Sequence, residues 1–127
     1  MNDQLNTQES FSLMKRAKSF VHAGRGVRVM LKTTHNAWVQ ICICIAAVAL
    51  GVYVHLAYLE WIMVILASGL VFIAEAFNTA IEIDIDLTSP EYHPFAQDTK
   101  DVAAGAVLIA SVTAAIIGII IFAHHLA

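Results

Sequence analysis

Charge is scarce in this sequence, and what there is keeps away from most of its length. Only 13% of the 127 residues are charged while 59% are hydrophobic, more apolar than a soluble domain of this size needs for its core. Basic residues are nearly absent beyond position 32. Six of the seven Lys and Arg lie between Lys15 and Lys32, and the seventh is Lys100, which leaves no spread of positive charge for nucleic acid. Cysteine is almost missing too. Cys42 and Cys44 stand one residue apart inside an apolar run, a spacing that fits neither a disulfide framework nor a zinc site, and they read as packing residues. No repeat or low-complexity linker divides the chain. The first thirty residues lack a small-residue cleavage site after their long basic stretch, so no cleavable signal is expected. One domain over residues 1–127 is the expectation, with 1–10 a disordered tail.

What the sequence does have is three long apolar segments. A hydrocarbon core about 30 Å thick takes roughly 20 apolar residues in a helix, and residues 37–59, 61–83 and 102–123 meet that length. The fold class expected is an all-α membrane protein. Within the first segment only Gln40 and His55 are strongly polar; the third carries no charge. A few residues around Ala57 to Glu60 separate the first two, giving a tight hairpin with Tyr58 and Trp61 at the interface. The basic residues before Lys32 place the amino terminus and an Asp84–Asp101 loop in the cytoplasm. Ahead of the spans, over residues 11–33, Leu13, Ala17, Phe20, Gly24, Val27 and Leu31 recur at spacings of three and four, opposite Lys15, Lys18, His22 and Arg25. Such an amphipathic helix lies in the headgroup plane, or packs as a solvated helix on a partner.

The second segment holds carboxylates where they are costly. Groups of this kind at membrane depth usually face a bundle interior or polar cavity and mark function. Glu75, Asn78, Glu82 and Asp86 follow at spacings of three, four and four, an arc of roughly 80° on one helix face, with Asp84 on the opposite side. A stripe of acceptors suits Mg²⁺, which takes few carboxylates and fills its shell with phosphate oxygens and water. The plainer alternative makes Glu82 and Asp86 interfacial residues and gives Asn78 a neighbouring helix to bond. Glu75 lies deepest, about 10 Å inside the expected helix end, where a carboxyl is placed for general-base work or for a purely structural role. Elsewhere, His93-Pro94 shapes the loop, His124 and His125 read as a membrane-edge tail, and Ala106, Ala110, Ala114 and Gly118 form a small-residue packing face.

Glu75-Ala76-Phe77-Asn78-Thr79-Ala80-Ile81-Glu82, Asp86, Glu91-Tyr92-His93-Pro94 and Lys100-Asp101-Val102-Ala103-Ala104-Gly105-Ala106-Val107-Leu108 together resemble the signature of the prokaryotic diacylglycerol kinase and undecaprenol kinase family. Lys18-Ser19-Phe20 with Ala23 and Gly26 is similar to that family's amino-terminal helix. A lone E-x-x-N is a weak signal; the full E-x-x-N-x-x-x-E followed by K-D-x-A-A-G-A-V-L is a strong one. The resemblance runs from about Lys15 to Phe122. It implies a homotrimer of three-span subunits in the bacterial inner membrane, using ATP and Mg²⁺ to phosphorylate a lipid hydroxyl. By resemblance Glu75 is the general base, Glu82 a metal ligand, Asn78 a polar positioning residue, and Asp86, Lys100 and Asp101 lie around the nucleotide. The Glu91-Tyr92-His93-Pro94 and Ala103-Ala104-Gly105 forms look closer to the undecaprenol branch than to the diacylglycerol one.

Two positions depart from the family pattern. A second metal-ligating Glu is expected before the first span, in a run like K-T-E-x-N, but this chain reads Lys32-Thr33-Thr34-His35-Asn36. Thr34 thus stands at the metal position with a hydroxyl and no charge, and imidazole at His35 is a softer ligand than Mg²⁺ prefers. Gln97 replaces a usual Lys. Besides a lipid kinase, two other readings stay open: a catalytically silent member acting in membrane assembly or regulation, for which Thr34 argues, and a small cation-coupled transporter, for which Glu75 alone argues. Thr34→Glu is expected to lower the Mg²⁺ concentration needed for lipid phosphorylation, measured as rate against Mg²⁺; an unchanged requirement removes Thr34 from the metal site.

Overall fold

The structure is a computed structural model and describes residues 12–127; the expected 1–10 tail and the first residue of the amphipathic helix lie outside them. Four helices follow in order: α1 (Leu13–Thr33), α2 (His35–Tyr53), α3 (Tyr58–Thr88) and α4 (Pro94–Leu126), with no strand among the described residues. The last three are long and apolar enough to cross a membrane. Their side chains agree, since Ile43, Ile65, Leu66, Leu108, Ile109 and Ile119 are more than 60% exposed with nothing of this chain to cover them.

Helix α1 starts where Ser12 accepts the Lys15 N–H on its side chain, at 3.4 Å, satisfying one of the orphan donors of a first turn. Only Met30 of α1 is buried; Leu13 and Phe20 on its apolar stripe are at least 75% exposed. One extended residue, Thr34, breaks α1 from α2. Trp38, in the first turn of α2, reaches back with Nε1 to the Leu31 carbonyl at 2.8 Å. That bond uses one of the carbonyls a helix end leaves without a partner and so fixes the angle of the break.

The hairpin turn comes earlier than the apolar pattern indicates. Helix α2 ends at Tyr53, not Leu59, because His55 takes a left-handed conformation (φ 57°) and closes the helix. Leu56 N–H bonds the Gly51 carbonyl at 3.0 Å and His55 N–H the Val52 carbonyl at 3.3 Å, the paired bonds of a Schellman end. Hydropathy is blind to this turn, since Val54, Leu56 and Ala57 are apolar. Leu56 then packs on Val64 and Ile121, with Trp61, Ile117 and Phe122 around them. Glu60 caps α3 by accepting the Ala57 N–H at 2.8 Å, and His125 Nε2 lies 2.9 and 3.0 Å from its two oxygens. That pair fastens the end of α4 to the start of α3.

Helices α3 and α4 form the main packing seam. On α4 the positions turned inward are Ala103, Val107, Ala110, Ala114, Ile117 and Ile121, alternating four and three and so holding one face over the helix length. The expected stripe of every fourth residue only partly coincides: Ala110 is buried and Ala106 exposed, because a strict four-residue step drifts about 40° each time. On α3 the seam runs through Val64, Ala67 and Val71 and continues into Glu75 and Asn78.

The Asp84–Asp101 loop expected from hydropathy is mostly helix. Helix α3 runs on to Thr88 and α4 begins at Pro94, leaving a short Ser89–His93 connection. Hydropathy marks only the apolar part of a helix, whereas its true ends lie at breakers. Pro94 sits at the first turn, where its missing N–H costs nothing, and the His93 ring accepts the Phe95 N–H at 3.2 Å. Asp86 therefore stands on α3, and Lys100 and Asp101 on α4.

Gly51 is required by the turn. A Cβ there would lie 2.8 Å from Leu56 Cδ1 and 2.9 Å from the Trp61 ring. Gly51→Val is expected to destabilise the fold by about 1–3 kcal/mol through overpacking, read as a lower unfolding midpoint in mixed micelles; an unchanged midpoint would mean the turn does not need this contact.

Candidate functional site

Glu75 is 1% exposed, the most completely buried large side chain among the described residues. Removing a carboxylate from water costs several kcal/mol unless hydrogen bonds replace the lost solvent. The replacements come from α2. Asn36 Nδ2 and Gln40 Nε2 both donate to Glu75 Oε2 at 2.8 Å. Four residues apart, they occupy neighbouring positions on one helix face, so both amides converge on the same atom. Ala37 between them is fully buried, and its small side chain lets α2 approach α3. The Thr79 hydroxyl donates to the Glu75 main-chain carbonyl at 2.9 Å and leaves the carboxylate alone.

One turn further on, Asn78 donates through Nδ2 to Glu82 Oε1 at 3.2 Å. Two acceptors in this region have no partner: Asn78 Oδ1 and Gln40 Oε1 are buried and unbonded. A buried polar atom left so costs about 1–3 kcal/mol, and in a native fold it asks for an explanation such as a ligand or a catalytic role. Asn78 Oδ1 beside the half-buried Glu82 is an oxygen donor set of one carboxylate and one carbonyl. That suits Mg²⁺ carried in on phosphates, which needs few protein ligands. No group of three or more His, Cys, Asp or Glu gathers as a metal cage among the described residues.

All four members of the expected stripe lie on the continuous helix α3, with burial falling along it. Glu75 and Asn78 are buried, Glu82 is half-buried, and Asp86 is exposed at the end of the seam. Asp86 is instead brought to Lys100 across the α3–α4 connection, Nζ to Oδ1 at 2.7 Å. Asp101 accepts from Gln97 Nε2 at 2.8 Å, so the residue replacing a usual Lys is bonded to a neighbouring acid. Thr34 stays apart. Its hydroxyl donates to the Met30 carbonyl at 3.2 Å, and no hydrogen bond joins it to Glu82. The residues that sequence reasoning missed are Asn36 and Gln40. The signal was present, since Gln40 interrupts an apolar span and Asn36 precedes it by one turn.

Two hollows flank this line of polar groups. An apolar cleft of about 560 Å³ opens between α2, α3 and α4, with Gln40 on its wall among Ile43, Leu50, Val71 and Phe72. A second, of about 500 Å³, lies between α1 and α3, where His22 and Arg25 face Thr79 and Ile83. Gln40, which bonds the carboxylate, thus lines the apolar space, and Thr79, which bonds the Glu75 main-chain carbonyl, lines the hollow beside the basic helix.

Comparison with known proteins accords with this arrangement. Residues 21–122 match the family model described as prokaryotic diacylglycerol kinase. An undecaprenol kinase of Bacillus subtilis (strain 168) is 42% identical over 105 residues, covering 83% of this chain and 85% of its own length. A diacylglycerol kinase of Synechocystis sp. is 38% identical over 101 residues, 79% of this chain and 58% of that protein. A diacylglycerol kinase of Helicobacter pylori (strain 26695) is 28% identical over 106 residues, 78% of this chain and 83% of that one. With a matched region that takes in α2, α3, most of α4 and every polar side chain of the site, this chain belongs to the prokaryotic diacylglycerol kinase family.

Proposed function

We propose that this lipid kinase transfers the γ-phosphoryl group of ATP, with Mg²⁺, to the hydroxyl of undecaprenol, with diacylglycerol as the alternative acceptor. The observation that carries this reading is Glu75: a carboxylate buried at membrane depth and held by two amides on one oxygen, one of them from Gln40 on the wall of an apolar cleft that suits a lipid chain. The preference for undecaprenol draws on the name of the Bacillus subtilis relative and on the form of the Glu91–Pro94 segment.

In the reaction the lipid hydroxyl oxygen attacks the γ-phosphorus and forms a new P–O bond. The bond from that phosphorus to the bridging oxygen breaks, and ADP leaves. The hydroxyl proton passes to Glu75. Such a transfer is mostly positioning and charge stabilisation. Glu82 and the Asn78 carbonyl are the groups that would hold Mg²⁺, with Thr34 at the family's second ligand position; the ion supplies charge against the phosphates. Lys100 and the basic face of α1 supply the positive charge of the protein itself, while Asp86 and Asp101 lie beside Lys100 near the nucleotide. A homotrimer in the bacterial inner membrane, as the family resemblance implies, completes the reading, with a cytoplasmic amino terminus supported by the run of Lys and Arg on α1. Thr34 favours one second reading, a family member that keeps the fold without turnover.

The experiment is transfer of labelled γ-phosphate from ATP to undecaprenol and diacylglycerol, offered in parallel to the purified protein in mixed micelles over a range of Mg²⁺. Phosphorylated lipid is expected, with more from undecaprenol. Glu75→Gln should lower the rate by about 10²–10⁴-fold, the usual worth of a general base. Full activity in that variant would remove Glu75 from the role, and no product from either lipid at any Mg²⁺ would favour the silent member.

A further inference from the structure

Glu75 offers two carboxylate oxygens, and the protein uses only one. Asn36 and Gln40 both bond Oε2, while among the described residues no hydrogen bond reaches Oε1. An amide N–H can only donate, and one carboxylate oxygen presents about two lone-pair sites. With both answered, Oε2 cannot accept a proton unless one of these bonds is broken. Oε1 keeps its lone pairs. On the reading of Glu75 as base, we propose that Asn36 and Gln40 are positioning residues that occupy Oε2 and so make Oε1 the atom that takes the hydroxyl proton.

Three further observations carry this. The polar side chains nearest Glu75 on its own helix are turned elsewhere, Thr79 to the main chain and Asn78 to Glu82. Among the described residues, the carboxylate is therefore oriented from α2 alone. Gln40 also makes its bond at a cost to itself, since its Oε1 is buried with no partner. Turning the amide over would put that oxygen against the carboxylate and lose a donor, so the orphaned acceptor is retained for the sake of the bond to Glu75. Lastly, Gln40 lies on the wall of the apolar cleft, so the side chain that occupies Oε2 also borders the space proposed for the lipid chain. The proton step follows directly. The lipid O–H bond breaks as its oxygen forms the bond to the γ-phosphorus, the proton moves to Oε1, and Oε2 keeps both amide bonds throughout.

The test compares Gln40→Met and Asn36→Leu, which remove the donors while keeping side-chain bulk, with Gln40→His, which keeps an N–H. In each variant kcat, KM for lipid and for ATP, and the solvent deuterium isotope effect on kcat are measured in mixed micelles. A misplaced base slows the step that moves the proton. The donor-free variants should therefore lose kcat, by up to about 100-fold for a displacement near 1 Å. Both KM values should stay nearly constant and the isotope effect should rise. Gln40→His should recover most of the rate and return the isotope effect toward that of the unaltered protein. Unchanged kcat in Gln40→Met and Asn36→Leu overturns the proposal, as does a loss of kcat with an unchanged isotope effect, the mark of a smaller folded fraction. Glu75→Gln, run alongside, separates the two ideas. If it stays active, the assignment of the base falls and this proposal with it; if it is inactive while the donor-free variants behave normally, only the positioning role falls.

Discussion

The structure depends on keeping a carboxylate away from water. Glu75 lies on the seam between long apolar helices, where only a small set of arrangements makes an acid tolerable. Two amides from α2 meet that requirement on one oxygen. Their positions constrain much else: α2 must start within a residue of Thr34, Ala37 must be small, and the α1–α2 angle must hold Asn36 over α3. The Trp38 bond to Leu31 fixes that angle. Helix α1, the first span and Glu75 are thus tied into one unit by three short contacts rather than by an extensive apolar interface.

The remaining polar groups follow outward along α3 in order of decreasing burial. Asn78 and Glu82 come next, bonded to one another and retaining unbonded oxygens, and beyond them Asp86 is paired with Lys100 of α4. This gradient suits a reaction between a lipid and a water-soluble nucleotide. On the proposed reading the inner groups would deal with a hydroxyl and a proton in apolar surroundings, where fixed dipoles act strongly. The outer ones would deal with phosphate charge nearer water. Lys100 is already paired with an acid, so nucleotide binding there, as proposed, would involve exchanging one anionic partner for another.

Much of this was legible in the sequence. Length and hydropathy gave the number and order of the spans, and the three- and four-residue spacing of Glu75, Asn78 and Glu82 placed them on one face. The helix ends were not legible, because hydropathy marks what is apolar rather than what is helical. It ran past the turn at His55, which lies among apolar residues, and stopped short of Thr88, where the helix continues as a polar extension. Asn36 and Gln40 were visible as polar residues and yet carried no sign of their partner, since a contact across 35 or more residues has no local periodicity. Thr34 marks the converse case: its departure from the family pattern was plain in sequence, and its geometry adds only that its hydroxyl is turned back to Met30.

The unequal lengths of the spanning helices give the molecule a vertical scale. Helix α2, with 19 residues, measures about 28 Å, close to the hydrocarbon thickness, whereas α3 and α4, with 31 and 33, measure about 46 and 50 Å. Since Glu75 is bonded to the first turns of α2, it stands within a turn or two of the hydrocarbon boundary, and the thirteen residues from there to Thr88 rise about 20 Å above it. The shorter helix acts as a depth gauge and the longer pair as a mast. A lipid alcohol would then need no lifting out of its leaflet to be phosphorylated, and its new phosphate would emerge already level with the headgroups around it.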